Sequence, residues 1–198
     1  MSSLNLTIPQ SKLPFPAADP LMLDTLMQAR VALFWGSSTP TRALLTALTA
    51  MAARGHTVRV YDGGNRFDGY YVARLARRLA PDPRPTLKRI HISRAFTCFQ
   101  LAELIENTAT TPQPLFLLDL LSTFYDESVP LRDTERLLTT TIAHLKRLAA
   151  HGPVIVGARE PRTLVQERWI LLDRLQIAAD SAWMLRHPPE ETPQPRLF

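Results

Sequence analysis

Residues 30–55 read RVALFWGSSTPTRALLTALTAMAARG, and the order of events in this stretch decides the fold class. RVALFWG, residues 30–36, is a short run of β-branched, aromatic and aliphatic residues, the composition of a buried strand. A polar turn follows. PTRALLTALTAMAARG, residues 40–55, then opens on Pro near a helix start and closes on Gly, the asymmetry that helices favour. A buried strand leading through a short turn into a helix is the first half of a βαβ unit.

Outward from this unit the same alternation repeats. TVRVYDGG (57–64) predicts a second strand, and FDGYYVARLARRLA (67–80) a helix that Pro81–Pro85 breaks. KRIHIS (88–93) and FTCFQLAELIENT (96–108) make the third strand and helix. PLFLLDLLS (114–122) is a continuous apolar run, as expected of a strand covered on both faces. LRDTERLLTTTIAHLKRLAAHG (131–152) predicts the longest helix, with Leu137, Leu138, Ile142, Leu145 and Leu148 on its apolar side. PVIVGAR (153–159), TLVQERWILLDRLQ (163–176) and SAWMLRH (181–187) complete the pattern. Such alternation predicts an α/β domain over residues 20–186, three layers deep, with a mainly parallel sheet and helices on both faces. Residues 1–19 carry Pro9, Pro14 and Pro16 and predict an extended N-terminal arm. Residues 187–198 hold four more prolines and predict an irregular tail.

Composition sets the bounds. The chain has 198 residues, 45% hydrophobic and 21% charged, enough for one sizeable core. Its net charge of +5 allows acidic or nucleic-acid partners. Cys98 is the single cysteine, which excludes an internal disulfide and fits a reducing, cytoplasmic setting; its apolar neighbours predict a buried structural thiol. The five histidines lack metal-ligand spacing, so no metal site is expected. No apolar run is long enough to span a bilayer, and no secretion signal is evident at the N-terminus.

Ligands of parallel α/β sheets bind beyond the C-terminal ends of the strands, so the first strand-to-helix turn is where phosphate would sit. It reads GSSTPTRA, residues 36–43. A working phosphate loop is GxxxxGK[ST]: backbone N–H groups wrap the phosphates, Lys meets the terminal ones and the hydroxyl holds Mg²⁺. Gly36 fits the first position, and Ser37, Ser38 and Thr39 fill the loop. Thr41 stands for the second Gly, Arg42 for Lys and Ala43 for the hydroxyl residue. Ala43 cannot ligate a metal, Arg42 is bulky and planar, and Pro40 removes a backbone donor.

Four segments in order resemble the RecA/RadA recombinase superfamily, especially the archaeal and eukaryotic recombinases and their paralogues. They are the degenerate loop above; VYDGGNRFDGYYVARLARR (60–78), whose Asp62 and Phe67 match the ends of the family's acidic turn; RIHISRAFTCFQLAELIE (89–106), with Arg94, Ala95 and Phe96 as its Arg-Ala-Phe turn; and PLFLLDLLSTF (114–124), which looks like Walker B ending in Asp119. Together they span about residues 30 to 186. The resemblance implies a RecA-like core of the P-loop NTPase type, with a degenerate nucleotide site at Gly36, Ser37, Ser38, Thr39, Thr41, Arg42, Asp62 and Asp119. Gly64 falls where the family has the glutamate that activates water. Metal ligand, Lys and base are thus all replaced, so no catalytic residue and no resident cofactor are expected; ATP with Mg²⁺ is the ligand such a site would otherwise take.

The resemblance also points to partners. The family grips DNA with loops that correspond to residues 122–132 and 157–162. Asp126 and Glu127 in the first repel phosphate, leaving Arg159, Arg162 and Arg168 as candidates for weak, sequence-independent DNA contact. Phe15 and Ala18, in FPAA of the arm, resemble the F-x-x-A motif that docks one recombinase protomer on another, so a protein partner or homo-oligomer is expected. The leading expectation is a non-catalytic recombinase paralogue, an accessory or scaffold protein in DNA repair or recombination. The alternatives are a weak or DNA-stimulated ATPase with an unusual P-loop, and a regulatory or assembly protein of the same fold unrelated to DNA.

Overall fold

The structure is a computed structural model, and it describes residues 19–37 and 40–185, the side chains of residues 20, 21 and 163–165 excepted. The strands are β1 (Val31–Gly36), β2 (Val58–Asp62), β3 (Ile90–Arg94), β4 (Leu115–Leu118), β5 (Val154–Arg159) and β6 (Ser181–Met184). They form one sheet in the order β3-β2-β4-β5-β1-β6. Every neighbouring pair is parallel. The helices are α1 (Pro20–Gln28), α2 (Thr41–Ala53), α3 (Gly69–Leu79), α4 (Pro83–Lys88), α5 (Cys98–Glu106), α6 (Leu131–Ala149) and α7 (Trp169–Ala178).

Strand alternation divides the core in two. Val31, Leu33, Leu115, Leu117, Val154 and Val156 face the cluster that holds Leu138 and Leu145 of α6 and Leu172 of α7. Ala32, Phe34, Val58, Val60, Phe116 and Ile155 face the opposite cluster with Leu23 of α1 and Leu45 and Leu48 of α2. Gly157 in β5 lets α2 settle close to the sheet, for a Cβ there would stand 2.5 Å from Leu44 Cδ1. At the far edge Trp183 of β6 stacks on Phe34 of β1, ring centroids 4.8 Å apart.

The chain runs from β1 to β2 and β3 with its helices on the second face. It then reverses through β4, β5 and β6 with its helices on the first. Keeping one crossover hand through the reversal requires the change of face. The result is a doubly wound parallel α/β sheet, of the general Rossmann- and flavodoxin-like kind; the strand order by itself does not single out a RecA-like core.

The structure departs locally from the sequence expectation. The proline-rich break after α3 contains a further short helix, α4, because Asp82 caps it by accepting from the Arg84 amide at 3.0 Å and Pro83 opens it. The apolar run at 114–122 is not one strand: it leaves the sheet at Asp119, whose φ of 53° starts a 3₁₀ turn at Leu120–Ser122. Residues 163–176 split into a 3₁₀ segment and α7.

Candidate functional site

The strand order puts two carboxylates side by side at the ends of neighbouring strands. β2 hands the chain to one face of the sheet and its neighbour β4 hands it to the other, so their C-terminal ends diverge and leave a gap, the usual ligand position in such sheets. Asp62 ends β2 and Asp119 follows β4. Both are buried. The gap opens into a cleft of about 260 Å³ whose lining includes Asp62, Gly64, Arg94, Phe96, Ser122 and Asp126.

Asp62 organises the turn that follows it. Its Oδ1 accepts from the Arg66 amide at 2.7 Å and its Oδ2 from the Phe67 amide at 2.9 Å. These bonds close a loop in which Asn65 takes a φ of 53°, a conformation Asn adopts more readily than most residues. The Arg94 guanidinium lies 3.4 Å from Asp62 Oδ2, tying the end of β3 to the same carboxylate.

Asp119 is enclosed. Gly64 lies against it so closely that a Cβ there would stand 2.6 Å from both its Cβ and its Oδ2. Arg66 Nε approaches Oδ2 at 3.3 Å and Arg159 Nε at 3.5 Å. The other oxygen, Oδ1, is buried and has no hydrogen-bond partner. Arg159 also donates to Ser122 Oγ at 2.9 Å, while its carbonyl accepts from Tyr125 Oη at 2.9 Å. Burial pushes the Tyr125 phenol far above its ordinary range, and the Asp119 charge adds to the effect; Tyr125 is therefore a neutral donor. The loop after β4 is in this way fastened to the end of β5.

The turn after β1 is the other sequence-predicted part of the site. Gly36 ends β1 beside Arg159, and its carbonyl accepts from the Glu160 amide at 2.9 Å. Ser37 is exposed; Ser38 and Thr39 lie outside the described residues. Thr41 is the first residue of α2. Pro40 stands at the helix cap with no side-chain bond to the first turn. Arg42 turns sideways, its guanidinium 5.9 Å from the centre of the Tyr71 ring on α3.

Among the other predicted residues, Arg162 is exposed just before the 3₁₀ segment Thr163–Arg168. Arg168 is inside the molecule. It donates to the carbonyls of Phe124 at 2.8 Å and Val129 at 2.7 Å, bracing the loop after β4. A cation so committed has no free face for phosphate. Phe15 and Ala18 lie outside the described residues, as does the tail. Cys98 begins α5, buried and unpaired, and burial pushes its thiol up. The parts sequence reading passed over are Arg66 and the contact between Gly64 and Asp119. Arg66 lies four residues from Asp62, within a turn already recognised, but its partner is distant in sequence.

The chain matches no family model and no curated relative. Among the described residues no group of three or more His, Cys, Asp or Glu could hold a metal ion, and no helix is long and apolar enough to cross a membrane.

Proposed function

We propose that this chain is a RecA-like recombinase paralogue that has lost catalysis and serves as an accessory or scaffold protein in DNA repair or recombination. One observation carries the non-catalytic part: the carboxylate after β4 is shut in by Gly64, Arg66 and Arg159. A metal-binding acid in phosphoryl transfer must reach the ion and the phosphates. Here two guanidinium groups occupy the charge that Mg²⁺ would otherwise meet, and Ala43 offers no second ligand. The base position fails in the same place, because a side chain at 64 has no room beside Asp119.

The RecA-like part is supported by the motif order; the ends of β1, β2 and β4 share the C-terminal end of the sheet, a placement common to parallel α/β folds. If this reading holds, nucleotide has no chemical role, and function lies in what the surface binds. Affinity purification of the full chain from its native host tests it. Co-purification of recombination or repair proteins, from a protein that does not hydrolyse ATP, is the expected result. Recovery of partners from an unrelated process only, with no such proteins, would overturn it.

A further inference from the structure

The positive charge of this chain is concentrated in one segment. Residues 66–94 hold eight Lys and Arg residues against Asp68 and Asp82, a net of +6, while the whole chain carries +5. The remainder therefore sums to about neutrality. Both carboxylates of the segment are occupied as helix caps, Asp68 accepting from the Tyr71 amide and Asp82 from the Arg84 amide.

α3 and α4 pack beside each other over α2 and leave Arg74, Arg77, Arg78, Arg84 and Lys88 exposed, while Arg66 and Arg94 of the segment pair with Asp119 and Asp62. On α3, Val72 and Ala76 are buried. Tyr70, Arg74, Arg77 and Arg78 follow at spacings of four, seven and eight, which puts them on the opposite face. Arg84 and Lys88 of α4 are exposed as well. Among the described residues none of Arg74, Arg77, Arg78, Arg84 and Lys88 forms an ion pair. A solvated helix face of ordinary composition would interleave both signs.

Aromatic rings stand among these cations. Arg74 lies 6.0 Å from the centre of Tyr70 and 5.7 Å from that of Tyr71, and Arg42 lies 5.9 Å from that of Tyr71. The Tyr71 hydroxyl is anchored to Thr46 Oγ1 of α2 at 2.8 Å. Arg42, Tyr71, Arg74 and Tyr70 thus form a ladder that ends in a ring 77% exposed.

We propose that the outer face of α3 and α4 binds single-stranded nucleic acid, with Arg77, Arg78, Arg84 and Lys88 on the phosphates and a base stacked on Tyr70. Guanidinium groups suit phosphate geometry, and a positive groove with an exposed aromatic ring is how sequence-tolerant single-strand binders work. An acidic peptide would use the charges and leave Tyr70 idle. A lipid surface would call for outward apolar residues, and the apolar side of α3 faces the core. The surface stands on charge and stacking alone; only its connection to repair rests on the function proposed above.

Fluorescence anisotropy of the full chain with a labelled oligothymidylate, over a range of salt, tests this. Arg77→Gln, Arg78→Gln, Arg84→Gln and Lys88→Gln combined should weaken binding about 100-fold at low salt. The same change should make the slope of log K against log salt shallower by roughly 3. Tyr70→Ala should weaken binding about 10-fold. These side chains are exposed, so circular dichroism melts should stay unchanged. Absent binding by the parent chain, binding unaffected by either variant, or tighter binding to polyglutamate or phosphatidylserine vesicles would each overturn the proposal. ATP hydrolysis would refute the non-catalytic reading and leave this surface standing; failure here would do the reverse.

Discussion

Gly64 and Asp119 share one volume: a single methyl on Gly64 would come within 2.6 Å of the Asp119 Cβ and carboxylate. The glycine is thus fitted to a buried acid, and a glutamate at 64 has no room there. Gly64→Ala should cost about 1–3 kcal/mol, the range for overfilling a packed site, measured by urea unfolding. Gly64→Glu should cost more and give no hydrolysis. A neutral Gly64→Ala would show that the carboxylate moves aside freely.

Asp119 combines a left-handed backbone with the charge that holds Arg66 and Arg159. Both substitutions at this site lose the charge, but Asn tolerates that backbone and Ala does not. Asp119→Asn should lower stability by roughly 2–4 kcal/mol, less than for a fully enclosed ion pair because both guanidinium groups keep some water. Asp119→Ala should be worse by about 1 kcal/mol. Equal unfolding midpoints for the two would refute the backbone argument.

Arg168 braces the loop after β4 through two backbone carbonyls. Arg168→Met should leave those acceptors unsatisfied and cost roughly 2–4 kcal/mol, with faster proteolysis within residues 124–129. Arg168→Lys should rescue little, since an ammonium cannot span both carbonyls as the fork does. Weaker nucleic-acid binding at unchanged stability would instead place Arg168 at a surface.

Much of the architecture was legible in the sequence. The central strands, such as ALFW after Val31 or the run from Leu115 to Leu118, are apolar, and the long helix α6 carries a periodic apolar side. Local pattern could not show that PLFLLDLLS breaks at Asp119, because Leu120 and Leu121 are as buried as the strand before them. Nor could it reveal α1, whose nine residues follow a proline-rich arm. At the site, Asp62 was visible as a strand-end acid, and Asp119 only through the resemblance of its segment to Walker B. Their enclosure was not, since it depends on Arg94 from β3 at Asp62, and at Asp119 on Arg66 from the turn after β2 and Arg159 from β5. Arg168 illustrates the same limit: a basic residue near exposed Arg162 reads as surface until the loop carbonyls that it meets are known.

The pH response follows from two buried groups. Burial pushes up both the Cys98 thiol and the Tyr125 phenol. The unfolded chain then ionises first, so their contribution is complete below the ordinary thiol and phenol values of 9.0 and 10.0 and falls as pH rises past them. Urea midpoints should fall from pH 8.5 to pH 10.5 with a shallower decline in Cys98→Ala, compared relative to its own pH 8.5 value. The native thiol should also resist a disulfide reagent at pH 8 and react after unfolding. Rapid reaction of the folded chain would contradict its burial.

The central claim is that phosphoryl transfer has been lost, and steady-state ATP turnover by the full chain with Mg²⁺, with and without single-stranded DNA, tests it most directly. The expected result is no phosphate release above background in either condition, unchanged by Arg42→Lys combined with Ala43→Thr, because Gly64 still supplies no base and Asp119 stays paired with Arg66 and Arg159. Magnesium-dependent release by the parent chain that disappears in Asp119→Asn would contradict the account.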